Sequence, residues 1–121
     1  MTRSRKILLV EDNEINRMLA TTILDRLGHR TTVASDGGQA VALCARQRFD
    51  LVLMDMQMPV LDGLQATAQI RALDTPMRRV PVIALTANAL RGDRERCLAA
   101  GMDDYLSKPV DLDELLATLT R

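Results

Sequence analysis

Acidic residues directly follow two apolar segments, and this pairing is the strongest chemical signal in the sequence. Asp55 comes immediately after residues 51–54, and Glu11 and Asp12 follow residues 7–10. Short, bounded runs of large aliphatic residues are typical of buried strands. A carboxylate at the end of a buried strand is costly unless it has a partner. Two such strand ends therefore predict one shared acidic pocket that binds a cation.

Thr86 and Lys108 follow two further apolar segments. If all four segments are strands of one parallel sheet, a hydroxyl and an ammonium are expected at the same edge of that sheet as the acids. Three neighbouring carboxylates repel one another, and a hard divalent cation relieves that repulsion. Oxygen ligands without His or Cys favour Mg²⁺, with Mn²⁺ as a substitute, over zinc. Such a set suits phosphoryl transfer. Asp55 is then the natural nucleophile, because aspartyl phosphates are established covalent intermediates.

Each of these residues also has a simpler interpretation. Glu11 and Asp12 could merely cap the first helix, whose N-terminus favours negative charge. A single Thr86 is usually a turn residue, and a single Lys108 is usually solvated. The chain, however, has two lysines against fourteen arginines. Where Arg is so strongly preferred, Lys108 indicates a need for a compact point charge, and the combination favours the pocket.

The elements that must position these residues alternate between strand and helix along the chain. Strands are predicted at 6–10, 31–34, 51–54, 80–85 and 103–106, and the third and fourth helices at about 64–73 and 88–99. Alternation of this kind implies a parallel sheet with helices on both faces. The second and fifth strands are polar enough to be edges. The predicted fold is therefore α/β, with five strands in the order 2-1-3-4-5 and five helices.

Local signals predict where the helices begin and end. Asn13 is placed to cap the first helix, and Gly28 and Gly101 are placed to end the first and fourth. Asp36 and Asp111 each open a capping box with the residue three positions later. The core-facing stripe of the first helix is predicted to comprise Ile15, Met18, Leu19, Thr22, Ile23 and Leu27.

Composition narrows the classes of protein. The 121 residues suit a single domain, residues 1–121, with 1–5 as a flexible lead-in. The charges of sixteen basic and sixteen acidic residues cancel, so the net charge does not indicate binding to nucleic acid or to a membrane surface. Cys44 and Cys97 lack a CxxC partner and are expected to be buried thiols in a reducing cytoplasm. His29 is expected to be a loop residue, since a metal site would need partners at ligand spacing.

Four segments resemble the receiver domain of two-component response regulators. They are residues 10–13 (VEDN), 55–63 (DMQMPVLDG), 81–87 (PVIALTA) and 101–109 (GMDDYLSKP), in family order and spacing. The resemblance implies a flavodoxin-like doubly wound fold. It also implies that Asp55 accepts a phosphoryl group from a phosphohistidine on a histidine kinase or histidine phosphotransfer protein.

The resemblance further implies the ligands of the pocket. Mg²⁺ would be held by Asp12, Asp55 and the backbone carbonyl of Gln57, with Glu11 as a ligand directly or through water. Glu at the first acidic position is a common variation in the family. The backbone N–H groups expected to contact the phosphoryl oxygens belong to Met56, Gln57 and Ala87.

The same resemblance assigns roles outside the metal site. Thr86 and Tyr105 would form a two-state switch, in which Thr86 moves toward the phosphate and Tyr105 turns inward behind it. The bond between Lys108 and Pro109 resembles the family's cis peptide, and cis bonds are largely confined to proline. Gln57 and Asn88 occupy positions that influence how fast water removes the phosphate.

The segments 13–17 and 55–59 resemble receivers attached to hybrid histidine kinases. Such a domain is not itself an enzyme but autocatalyses its own phosphorylation and dephosphorylation. It would pass the phosphate to a histidine phosphotransfer protein docked on the first helix, as a monomer or weak dimer. It would lie in the cytoplasm, within a membrane-anchored kinase or alone. A stand-alone shuttle receiver is the alternative, and a reading frame extending before Met1 with a kinase would distinguish the two.

Two alternatives from other classes remain. An aspartate-nucleophile phosphatase would also use Asp55 and Mg²⁺, but a second acid is expected two residues later, where this chain has Gln57. A flavodoxin-like electron carrier shares the fold, yet Glu11 and Asp12 replace a phosphate-cradling loop. The chain also has a single Phe and a single Tyr with which to sandwich a flavin.

Overall fold

The order of strands and helices follows the predicted alternation. A computed structural model describes residues 4–56, 61–86, 93–107 and 112–119. The strands are β1 (Lys6–Val10), β2 (Arg30–Ala34), β3 (Leu51–Asp55), β4 (Val82–Thr86) and β5 (Asp104–Ser107). The helices are α1 (Glu14–Arg26), α2 (Gly37–Arg46), α3 (Gly63–Arg71), α4 (Asp93–Ala99) and α5 (Leu112–Leu119), with a 3₁₀ helix at Pro76–Arg79.

The five strands form one parallel sheet in the order β2-β1-β3-β4-β5, which confirms the predicted topology. Every residue of β3 and β4 is buried, whereas β2 is largely accessible at the edge. Inner strands of parallel sheets are covered by helices on both faces, so they read as nearly continuous apolar runs. The order reverses between β1 and β3, where ligands bind in open sheets of this kind.

The core consists of two layers, one on each face of the sheet, because successive strand side chains point in opposite directions. The α1–α5 layer is made of Ile7, Leu9, Ala20, Leu24, Leu51, Leu53, Ile83, Leu85, Leu106 and Leu115. The α2–α4 layer is made of Leu8, Val10, Ala34, Ala40, Cys44, Phe49, Val52, Met54, Met56, Ala66, Ile70, Met77, Val80, Val82, Ala84, Cys97 and Met102.

Helix α1 faces the sheet with a different side from the one predicted. Ala20 and Leu24 are its buried residues, and Ile23 and Leu27 pack against the same layer as expected. The other members of the predicted stripe lie on the outer side, so their assignment to the core is wrong. These exposed residues are Ile15, Met18, Leu19 and Thr22.

The reason for this difference is that α1 carries apolar residues on two sides. Ala20 has a small side chain, so the helix can approach the sheet closely on the side that also carries Leu24. Ile15 and Met18 are left 76% and 63% exposed, and Leu19 is 39% exposed. We call these three residues the α1 apolar face. A contiguous exposed apolar surface of this kind often marks a contact with another protein.

The predicted helix caps at Asn13 and Asp36 are confirmed, whereas α3 begins one residue earlier and ends two residues earlier than predicted. The Asn13 side chain accepts a hydrogen bond from the Asn16 N–H at 3.0 Å, and the Asp36 side chain accepts one from the Gln39 N–H at 2.8 Å. Asp62 caps α3 in the same way, a cap that the sequence reading did not assign. The caps leave fewer helix N–H groups without a partner.

Two glycines end helical segments with positive φ. Gly28 has φ 84° and Gly101 has φ 100°, values that residues with a Cβ rarely adopt. Six predicted strand boundaries move by one or two residues: β2 starts at Arg30, β3 ends at Asp55, β4 runs from Val82 to Thr86, and β5 runs from Asp104 to Ser107. The predicted start of the fourth helix at residue 88 and the Asp111 cap lie outside the described residues.

The single histidine and the two cysteines are all buried. His29 lies in the loop before β2 as predicted, and its Nδ1 accepts a hydrogen bond from the Arg5 N–H at 3.0 Å. Burial, with a smaller effect of Arg5, lowers the pKa of His29. Cys44 and Cys97 are free and buried, as expected. Among the helices in the described ranges, none is long and apolar enough to cross a membrane.

Candidate functional site

The register of the central strands brings the predicted acidic residues together. Val10 pairs with Met54, so the residues that follow these two strand positions, Glu11 and Asp55, are neighbours at the carboxyl edge. One carboxylate oxygen from each of Glu11, Asp12 and Asp55 lies within 4.8 Å of the others. Glu11 and Asp55 are 1% and 2% exposed, whereas Asp12 is exposed. The cluster therefore opens to solvent on the Asp12 side.

Hydrogen bonds hold the start of this acidic segment in place. The Glu11 N–H donates to the Ala34 carbonyl at 3.1 Å and extends the pairing of β1 with β2. Glu11 Oε2 accepts from the Asn13 N–H at 3.2 Å. The N-cap residue of α1 is Asn13, so Glu11 and Asp12 do not occupy the cap position itself. Their place beside the helix N-terminus is compatible with their membership of the cluster.

The chemistry of this donor set fits a hard divalent cation. Its atoms are carboxylate oxygens, which Mg²⁺ prefers, and the described residues bring no His or Cys into the group. Three negative charges at this separation repel strongly where two of the groups are shielded from water. A bound cation would offset that repulsion. Asp12, the exposed member, leaves room for the waters that Mg²⁺ retains.

Thr86 lies beside the cluster on the neighbouring strand. Asp55 pairs with Leu85 across β3 and β4, which places Thr86 one residue beyond Asp55 along the edge. The Thr86 side chain is buried. Tyr105 pairs with Ala84, so it lies on the same face as Thr86 but two residues back, where it packs half-buried on the α2–α4 layer. This placement is compatible with the predicted switch pair, which stays a prediction.

Met56 joins the carboxyl end of β3 to the neighbouring strand. Its N–H donates to the Leu85 carbonyl at 3.0 Å and so continues the pairing of β3 with β4. The predicted contact of this N–H with a phosphoryl oxygen stays a prediction. The Met56 side chain is buried in the α2–α4 layer.

Gly63 is a residue of this site to which the sequence reading gave no role. It begins α3 directly against β3, and its N–H donates to the Met56 carbonyl at 3.3 Å. A Cβ at this position would overlap the carbonyl oxygen of Asp55. Only glycine therefore allows α3 to start this close to Asp55. The Asp-Gly pair was visible in the sequence, but the close approach depends on the packing of α3.

The remaining predicted site residues lie outside the described residues, and their roles stay predictions. The residues concerned are Gln57, Ala87, Asn88, Lys108 and Pro109. The last described residues of β4 and β5, Thr86 and Ser107, pair with each other.

Comparisons with known proteins agree with this arrangement. Residues 7–120 match the family described as response regulator receiver domain. Histidine kinase 5 of Arabidopsis thaliana is 41% identical over 139 residues, an alignment that covers 94% of this chain and 15% of that protein. The chain thus spans a small part of this kinase.

Two solved structures are similar over nearly the whole chain. The receiver domain of sensor histidine kinase PA1611 from Pseudomonas aeruginosa PAO1, with a magnesium ion coordinated in its active site cleft, is 55% identical. Its TM-score is 0.90, and the match covers 98% of this chain and 97% of that one. The co-crystal structure of the Saccharomyces cerevisiae histidine phosphotransfer protein Ypd1 with the receiver domain of Ssk1 matches at TM-score 0.90 and 31% identity. That match covers 99% of this chain and 89% of the other.

Proposed function

The chain belongs to the response regulator receiver domain family, and we propose that Asp55 is its phosphoacceptor. The observation that carries the proposal is the grouping of the Glu11, Asp12 and Asp55 carboxylate oxygens within 4.8 Å of one another. Domains of this family act in two-component systems and phosphorelays. The proposed donor is a phosphohistidine on a histidine kinase or a histidine phosphotransfer protein.

In the proposed step, a carboxylate oxygen of Asp55 attacks the phosphorus of the phosphohistidine. The new P–O bond forms as the P–N bond breaks, and its electron pair returns to the imidazole nitrogen. Asp55 stands at the end of a fully buried strand paired on both sides, so its carboxylate is preorganised for the reaction. Bound Mg²⁺, held by Asp12 and Asp55 with Glu11 beside them, would supply charge neutralisation for the phosphoryl oxygens.

Two further groups are proposed to stabilise the phosphorylated state. The Thr86 hydroxyl donates a hydrogen bond to a phosphoryl oxygen, and the Lys108 ammonium neutralises its charge. The burial of Thr86 one residue beyond Asp55 on the adjacent strand supports the first role. The domain is proposed to catalyse its own phosphorylation and dephosphorylation without acting on a separate substrate, and to reside in the cytoplasm.

The chemistry is tested by intact mass after treatment with a small acyl phosphate and Mg²⁺, followed by peptide mapping. One phosphoryl mass on Asp55 is expected, and Asp55→Asn should remove it. Asp62→Asn is the matched control, because Asn keeps the α3 cap while one nearby carboxylate is lost. A phosphoryl group mapped to a Ser, a Thr or another Asp in the parent would contradict the assignment of Asp55.

The metal requirement has its own comparison. Asp12→Ala should abolish uptake, since it removes a proposed ligand. Glu14→Ala, which alters an exposed acid in the first turn of α1 outside the cluster, should not. Uptake of the parent in excess chelator, or restored by zinc alone, would argue against the Mg²⁺ site.

We also propose that the α1 apolar face receives the histidine phosphotransfer protein. Ile15, Met18 and Leu19 form an exposed apolar surface on the helix that begins immediately after the acidic cluster. A partner packed there would hold its phosphohistidine near Asp55. The complex of a similar receiver domain with a phosphotransfer protein supports this kind of partner.

Substitutions on two helices separate docking from chemistry. Ile15→Glu should slow phosphoryl exchange with a histidine phosphotransfer protein while leaving uptake from a small acyl phosphate unchanged. Leu98→Glu is the control, because Leu98 is also an exposed apolar residue but lies on α4. Equal exchange rates for Ile15→Glu and the parent would exclude this docking face.

A further inference from the structure

Cys97 in α4 contacts the residue that follows Asp55. Its Sγ lies 3.6 Å from the Sδ of Met56, at the distance of a weak S–H donor and a thioether acceptor. The two side chains are 1% and 9% exposed. Side chains of α4 and of the carboxyl end of β3 are therefore in direct contact beneath the surface.

The backbone and side chain of Met56 are held in different ways. Its N–H donates to the Leu85 carbonyl at 3.0 Å, and its carbonyl accepts from the Gly63 N–H at 3.3 Å. These bonds hold the Met56 backbone between β4 and α3. The side chain has three rotatable bonds and adapts to irregular surroundings. A change at Asp55 can thus alter the Met56 side chain without breaking the sheet.

The layer that contains this contact is chemically different from the opposite one. Within the described residues, the α1–α5 layer consists only of Ala, Ile and Leu. The α2–α4 layer includes Cys44, Met54, Met56, Met77, Cys97 and Met102. Because Met side chains rearrange at lower cost than branched aliphatic ones, the α2–α4 layer can repack while the α1–α5 layer keeps its shape.

We infer that Cys97 is a positioning residue that couples α4 to Asp55 through Met56. The inference rests on the proposed function: phosphorylation of Asp55 would rearrange the Met56 side chain, and Cys97 would carry that change to α4 as a displacement of the helix, which we call the α4 response. Asp55 itself is held by the pairing of β3 with β4 and not by Cys97. Loss of the Cys97 contact therefore leaves phosphoryl uptake intact and weakens the response of α4.

The two cysteines provide a matched experiment. Cys97→Ala and Cys44→Ala remove the same atoms from side chains that are each 1% exposed and lie in the same layer. Burial raises the pKa of the Cys44 thiol to about 11, so this thiol is a neutral core group on α2. For the parent and both variants, one measures unfolding free energy, Mg²⁺-dependent phosphoryl uptake by intact mass, and amide shifts of Asp93–Ala99 on adding beryllofluoride.

Both variants are expected to lose stability, and both should take up the phosphoryl group as the parent does. Only Cys97→Ala should lose part of the α4 response, with a roughly two- to thirtyfold drop in the equilibrium constant for the shifted state. If Cys97→Ala does not fold, Cys97→Ser retains most of the volume without the sulfur contact and carries the same expectation.

Three outcomes would overturn the inference. Parent-like α4 shifts in the Cys97 variant would show that the contact does not transmit the change. Equal losses of the α4 response in both cysteine variants would show a general packing effect. A parent that neither takes up phosphate nor responds to beryllofluoride would remove the proposed function as well, whereas the first two outcomes leave that function standing.

Discussion

Substituting Gly63 by alanine tests the close packing of α3 against the phosphoacceptor. The added Cβ would overlap the Asp55 carbonyl oxygen and approach the Asp55 carbonyl carbon and the Met56 Cα, each at 3.1 Å. All three are backbone atoms of β3 or of the residue that follows it, so no flexible side chain can move aside. Relief requires a shift of α3 or of the Asp55 backbone.

The expected cost follows from these contacts. Overpacking of a well-packed site typically costs about 1–3 kcal/mol, and replacement of a helical glycine by alanine returns up to about 1 kcal/mol. A net loss of about 1–2 kcal/mol is therefore expected. For a domain of this size, it should lower the melting temperature by about 4–8 °C.

Gly38→Ala is the matched control, since Gly38 lies near the start of α2. The nearest atom to its added Cβ is Asp36 Oδ1 at 3.2 Å, the oxygen that caps α2 by accepting from the Gln39 N–H. A shift of this side chain by a few tenths of an ångström relieves the contact. The helix propensity of alanine and a slight weakening of the cap should leave the variant within about 0.5 kcal/mol of the parent. The contrast between the two glycines isolates the effect of the Asp55 backbone.

Two assays are needed, because a shift of the Asp55 backbone should also affect the chemistry. Urea or thermal unfolding reports stability, and intact mass after treatment with a small acyl phosphate and Mg²⁺ reports uptake. A misplacement of about 1 Å can cost on the order of a hundredfold in rate, so uptake by Gly63→Ala should fall at least tenfold. If Gly63→Ala were as stable and as active as the parent, the proposed contact between α3 and Asp55 would be refuted.

Three further predictions concern single side chains. Burial lowers the pKa of His29, the sole histidine, in the folded state. Below about pH 6.5 the unfolded chain therefore binds more protons than the folded chain, and the free energy of unfolding should decrease as the pH is lowered. His29→Gln should flatten that dependence in urea unfolding between about pH 5 and 7, and a parent that gains stability on acidification would contradict the sign. Thr86→Ala should accept phosphate yet show smaller β5 amide shifts with beryllofluoride, and shifts equal to those of the parent would exclude the switch. Lys108→Arg should resemble Lys108→Ala in uptake or response, because guanidinium is a wide planar fork, and parent-like values in both assays would show that charge alone suffices.

The topology and the acidic cluster were both predictable from the sequence. Residues 7–10 and 51–54 are continuous apolar runs because β1 and β3 are covered on both faces, and that pattern is local. Once the strand order is known, the residues after each strand must meet at one edge. Glu11, Asp12 and Asp55 could therefore be grouped without knowledge of any side-chain contact.

The orientation of α1 could not be predicted in the same way. Ile15, Met18 and Leu19 repeat at helical spacing just as Ala20, Leu24 and Leu27 do, so periodicity alone does not distinguish the two sides. Packing against the sheet decides between them, because the small Ala20 lets the helix approach where Leu24 can be buried. The apolar side left outside became the proposed docking surface.

Contacts between segments distant in sequence were likewise decided only by the tertiary structure. The approach of Gly63 to the Asp55 backbone and the contact of Cys97 with Met56 join α3 and α4 to the end of β3. Neither has a local signature, because a glycine or a cysteine in a helix has many uses. The sequence by itself determined which residues are buried in strands and which acids end them. The distances at which helices pack onto those strands depend on the volumes of all the side chains between them, and only the folded chain decides those.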